Sequence, residues 1–127
     1  MRKLRFSVAG TGLVVCRLEA DAIVPGWAAR GAFFSVTRTQ EELSIVCAEE
    51  RVPAEVKRSG RFVLLKLYGP FAFTETGVVS SFAGPLAEAG VPVFVVSTFD
   101  TDYVLVPEES LEAALSALQK AGHEMVG

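Results

Sequence analysis

The chain has 127 residues, half of them hydrophobic, with 12 Lys and Arg against 15 Asp and Glu and a net charge of −3. That length suits one domain or two small halves, and the apolar share is ample for a core. The weakly acidic balance lacks the basic face of a nucleic-acid binder, so no nucleic-acid partner is expected.

Arg2, Lys3 and Arg5 stand before an apolar stretch that reaches Cys16, the outline of a secretory signal. Gly10, Thr11 and Gly12 interrupt that stretch, and Arg17 and Glu19 follow at once. The segment therefore reads as two short strands around a turn, with Phe6 and Val8 in one and Leu13 and Val15 in the other. No apolar run approaches the roughly 20 residues of a membrane span. A cytoplasmic protein with no membrane partner is expected. Cys16 and Cys47 lie in strand-like apolar runs and read as buried thiols acting as small hydrophobes. A disulfide between them stays open. With one histidine and no Cys-x-x-Cys, no metal site is expected.

Residues 13–19 read as a strand. Pro25, Gly26 and Gly31 mark turns around Trp27, which should pack a loop against the core. The β-rich run 32–38 and the run 43–48, separated by a polar turn, read as a hairpin. Residues 52–60 carry no clear pattern and end at Ser59 and Gly60, the expected domain boundary. Beyond it the pattern sharpens. Residues 61–68 form a strand closed by Gly69 and Pro70. Val78, Val79, Phe82, Leu86 and Ala89 recur at helical spacing, with Gly90 as a stop and Pro85 as a source of a kink or a late start. The almost wholly apolar run 91–97 reads as a central strand buried on both faces. Residues 102–106 form another strand. Pro107, Glu108 and Glu109 open a second helix, lined by Leu111, Ala114, Leu115 and Leu118 and ended by Gly122. Residues 123–126 read as a last short strand. The second half is thus β-α-β-β-α-β, the split βαβ arrangement. The first half has a strand, a short helical segment at most, and a hairpin.

Two segments of the second half resemble a known family. Residues 69–79 (GPFAFTETGVV) look like the first β-to-α loop of an ACT domain, and residues 91–106 look like the hairpin that follows. Together with the upstream FFSVTRTQEELSIVC, they resemble the arginine-sensing CASTOR proteins and their short bacterial relatives, over about residues 31–118. The resemblance implies an α+β, ferredoxin-like ACT fold of two tandem βαββαβ halves, 1–60 and 61–127, the first incomplete. It implies a regulatory protein that is not an enzyme, needs no cofactor and binds a free amino acid at the interface of a homodimer. The regulated enzyme, if there is one, is not named by the sequence. The family's ligand contacts map onto Ala72, Glu75, Gly77, Val78, Thr98, Phe99 and Asp102 of one copy, with Ser81 and Phe82 of the opposing copy closing the pocket. Phe82 is bulkier than the small residue of the arginine sensors, which puts arginine specificity in doubt.

The residues themselves fit such a ligand. Backbone N–H groups near Thr76, Gly77 and Val78, at a helix N-terminus, suit a carboxylate, and Gly77 permits close approach. Glu75, Asp100 and Asp102 could take an ammonium, with Asp100 expected to point to solvent, and Phe99 could cover the side chain. Simpler readings remain beside these. Glu75 also reads as a helix-capping acid, Asp100 and Asp102 as turn residues, and Phe99 as core. A dimerisation or protein-interaction module without a ligand is the alternative function. Val78, Val79 and Phe82 form an apolar pattern left partly exposed in a monomer, which points to the dimer. Ser80 and Ser81 have no G-x-S-x-G context, and no P-loop or G-x-G-x-x-G is present. His123 reads as a surface residue beyond the last helix.

Overall fold

The computed structural model describes residues 2–127. Two compact units emerge, one of residues up to Ala9 together with Val63–Gly127, the other of Gly10–Phe62. They do not follow a single cut near residue 60, because strand β1 (Arg5–Leu18) is one long strand whose two ends serve different units. The expected turn at Gly10 to Gly12 is absent. Gly12 instead takes φ +66° inside the strand, a left-handed backbone that glycine adopts without strain.

In the Gly10–Phe62 unit, the later part of β1 pairs antiparallel with β3 (Leu43–Ala48), which pairs in turn with β2 (Ser35–Arg38). Strand β4 (Lys57–Arg58) also pairs with β1, so the unpatterned stretch before Gly60 contributes a short strand. Single 3-10 turns stand at Gly26–Ala29 and Glu49–Arg51. Val14, Cys16, Leu43, Ile45 and Cys47 form the core, with Trp27 packed against it. Both thiols are buried and unbridged.

The other unit runs β5 (Phe62–Leu67), α1 (Val78–Glu88), β6 (Phe94–Ser97), β7 (Asp102–Pro107), α2 (Leu111–Lys120) and β8 (Glu124–Met125). Its strands lie in the order β1, β5, β7, β6, and β8 pairs parallel with β1, Arg5 facing Glu124. Alternation places Val63, Leu65, Leu67, Val104 and Val106 on one face, where they meet Phe82, Leu86, Ala114 and Leu118 of the two helices. Both helices end as the sequence implies. Gly90 and Gly122 take φ +75° and +92°. Val91 N–H donates to Leu86 O and Gly90 N–H to Ala87 O, and His123 and Gly122 repeat the pattern on Leu118 and Gln119. This is the Schellman closure, with its apolar contact made by Val91 and Leu86.

Three expectations are corrected. The run 91–97 is not a central strand. Only residues 94–97 are extended, β6 ends the strand order, and Val93 is 37% exposed. The run is apolar because Val91 plugs the helix end and Val95 lies over the core. Phe82 is fully buried in its own protomer, against Phe6 and His123, and Val78 is buried too. Positions 78, 82 and 86 form the core stripe of α1, not an exposed apolar face. His123 is also buried. Its Nδ1 accepts from Leu4 N–H at 3.0 Å, and its Nε2 lies 2.8 Å from Ser81 O. A carbonyl only accepts and an amide N–H only donates, so the ring carries its proton on Nε2.

Candidate functional site

Helix α1 begins at Gly77, whose φ of +80° belongs to the left-handed region that glycine adopts without strain. Glycine has no side chain to cap the first turn, so the N–H groups at the start of α1 are offered to an outside acceptor. Opposite stands the β6–β7 turn. Thr98 N–H donates to Thr101 O at 2.8 Å, and the Thr101 hydroxyl donates to Leu67 O at 2.7 Å, which ties the turn to the end of β5. Across the base of the hairpin the Ser97 hydroxyl donates to Asp102 Oδ1 at 2.5 Å. Phe71 N–H donates to Asp100 O at 2.8 Å and joins the turn to the loop before α1. Gly69 sits where this joint is tightest. A Cβ there would lie 2.7 Å from Phe71 N and 2.9 Å from Asp100 O.

Between these parts is an open hollow of about 490 Å³, a volume suited to a small metabolite. Ala72, Glu75, Gly77, Val78, Thr98, Phe99 and Asp102 line it, so the structure gathers seven of the nine expected site residues around one space. Ser81 and Phe82 are outside it, on the buried side of α1.

Glu75 is used by the loop itself. Its Oε2 accepts from Ala72 N–H at 2.6 Å while its own N–H donates to Ala72 O at 3.0 Å. Its Oε1 meets Arg2 Nη2 at 2.9 Å. The Ala72 amide and the Arg2 guanidinium hold the carboxyl below the usual glutamate value. It does not cap α1. Arg2 also lies over the Phe71 ring, 5.6 Å from its centroid. Phe99 is not core. It is exposed and meets Phe73 edge to face. Asp100 is exposed, as expected for the turn. Sequence reasoning missed Arg2, Phe73, Ser97 and Thr101. The Arg2 contact spans 73 positions and leaves no local signal. Phe73 could have been noticed as an aromatic in a loop with no periodic partner.

Residues 58–120 match the family model described as an ACT domain, and residues 13–55 match a second model described as an N-terminal domain. The chain belongs to the ACT-domain family. It is 32% identical over 97 residues to the bovine cytosolic arginine sensor for mTORC1 subunit 1, and 31% identical over 96 residues to the human one. These alignments take in about 70% of this chain, and the chain spans about three-tenths of the length of those relatives. A crystal structure of an Agrobacterium tumefaciens protein is 41% identical, covers 99% of this chain and 94% of its own, and superposes with a TM-score of 0.92. The regulatory subunit of aspartate kinase from Thermus flavus shares the fold, with a TM-score of 0.60 at 15% identity over 90% of this chain and 97% of its own. Among the described residues, no helix of this ACT-domain chain is long and apolar enough to cross a membrane.

Proposed function

We propose that this ACT-domain protein is a non-catalytic cytoplasmic regulator that binds a free amino acid in the hollow between the start of α1 and the β6–β7 turn. The observation that carries the reading is the pairing of complementary ends across one space. Uncapped N–H groups at Gly77 and Val78 suit an α-carboxylate, and Asp102, with one oxygen taken by Ser97, has the other available to an α-ammonium. The arginine-sensor relatives support the choice of an amino acid. In this reading the chain is two tandem ferredoxin-like ACT halves, the first reduced; 1–60 and 61–127 divide them in sequence, while residues up to Ala9 pack with the second. Two chains form a homodimer that covers the open side of the hollow. Ser81 and Phe82, expected to close the pocket from the opposing copy, are buried beneath α1 of their own copy and hold it in place. What the dimer regulates is a separate protein.

A thermal-shift screen of the full chain against the twenty amino acids tests this. A ligand of the folded state raises the melting temperature with its saturation. No shift from any amino acid at millimolar concentration leaves the ligand-free interaction module, a reading that the internal use of Glu75 by Ala72 and Arg2 would then favour.

A further inference from the structure

The acids of the hollow are largely engaged, and its mouth is aromatic. Glu75 has both oxygens in use, by Ala72 and Arg2, and Asp102 has one in use, by Ser97. Phe73 comes from the loop before α1 and Phe99 from the β6–β7 turn, and both line the hollow. Their ring centroids are 4.9 Å apart at 74°, the edge-to-face arrangement, yet the residues are 77% and 78% exposed. Two phenylalanines held together in water at the rim of a hollow are apolar surface waiting for a cover.

We infer that the hollow selects free α-amino acids with an apolar or aromatic side chain, which lies against Phe73 and Phe99. The inference rests on the amino-acid reading of the site. The α-carboxylate then occupies the start of α1 and the α-ammonium the open oxygen of Asp102, so both charges of the zwitterion are matched. A side chain leaving that point meets the aromatic rim. Aromatic faces also attract cations, but a cationic side chain here has no buried counter-charge to pair with. Glu75 is already neutralised by Arg2, whose guanidinium lies over the Phe71 ring. The acid left to recruit is Asp100, exposed on the turn, where solvent screens the pair. An acidic side chain would face Asp100 and Asp102 together.

Calorimetry on the full chain with L-phenylalanine, L-leucine, L-alanine, L-arginine, L-lysine and L-glutamate tests the inference. Phenylalanine or leucine should bind about tenfold or more tightly than alanine, the expectation for covering one apolar side chain. Phe73→Ala and Phe99→Ala, both at exposed loop positions, should erase most of that preference while alanine binding changes by less than about twofold. Circular dichroism would confirm that each variant is folded. Arginine or lysine binding best, and losing its advantage on Asp100→Asn, would overturn the apolar selection and leave the amino-acid site standing. Unchanged selectivity in both phenylalanine variants, with loss of the dimer, would assign the rings to the subunit interface and overturn the inference. Binding of no amino acid at all would overturn the inference and the reading beneath it.

Discussion

Pro85 and His123 form a coupled pair although they are 38 positions apart in sequence. In an uninterrupted helix, Ser81 O accepts from the N–H of residue 85, but proline has none. His123 Nε2–H supplies the missing donor at 2.8 Å, and the same ring accepts from Leu4 N–H at 3.0 Å. His123→Ala therefore leaves two buried backbone groups without partners and removes a ring packed on Phe82. Each unsatisfied buried group costs about 1–3 kcal/mol, so a loss of about 3–5 kcal/mol is expected once the lost ring packing is included. Pro85→Ala restores an N–H four residues beyond Ser81. In that background His123→Ala should cost about 1–2 kcal/mol less, because only Leu4 N–H is then orphaned. Urea unfolding of the four proteins, followed by circular dichroism at one fixed chain concentration, measures the cycle. Additive effects, within about 0.5 kcal/mol, would refute the assignment of His123 as the substitute donor.

Asp102→Ala should weaken the bound amino acid by about tenfold or more with the fold unchanged, and Asp100→Ala should do less; equal calorimetric affinities for wild type and Asp102→Ala would remove Asp102 from the site. Gly69→Ala drives a Cβ against both ends of the Phe71 to Asp100 hydrogen bond, so a loss of at least about 2 kcal/mol in urea unfolding is expected, together with loss of binding; a wild-type midpoint would show that the joint yields. Burial, and then the neighbouring Cys47 thiol, push Cys16 up to about 11 from an ordinary value of 9.0. The neutral thiol is thus favoured in the folded state, so its contribution is intact below pH 9 and declines as pH rises toward 11, by roughly 2–3 kcal/mol. The double variant Cys16→Ala, Cys47→Ala should lose stability less steeply between those pH values than wild type, and parallel curves would count against the buried-thiol account. Light scattering at micromolar concentration should give the mass of two chains; a one-chain mass would count against the homodimer proposed to cover the open side of the hollow.

Local chemistry made the helices of the ACT domain legible. The spacing of Val78, Phe82 and Leu86, and of Leu111, Ala114 and Leu118, defines one stripe on each, and Gly90 and Gly122 end them by the same backbone closure. Strand identity was legible in the hairpins, where β2 and β3 and then β6 and β7 pair across short turns. Strand position was not. An apolar run such as 91–97 looks the same at the centre of a sheet and at an edge where its first residue fills a helix end. The continuity of β1 was hidden for a related reason. Glycine at residue 12 reads as a turn, and only the surrounding sheet decides that the chain runs on through its left-handed backbone as one strand.

The site divides along the same line. Gly77, Thr98 and Asp102, carried over from the family resemblance, line one hollow because each belongs to a turn or helix start whose geometry is set by neighbours a few positions away. Glu75 was found, but its role was not, since its partner Arg2 lies 73 positions back and is brought near only by the pairing of β1 within this unit. His123 was misread for the same cause. Nothing near it in sequence signals that Pro85 leaves Ser81 O in need of a donor. Both long-range contacts start from the first residues of the chain, Arg2 to the loop before α1 and Leu4 to the ring that holds α1. The short segment before β1 therefore ties down both the loop and the helix that frame the hollow. On this account Arg2→Ala, which removes the guanidinium from Glu75, should weaken ligand affinity in calorimetry although Arg2 need not touch the ligand, and an unchanged affinity would show that the loop holds its shape without it.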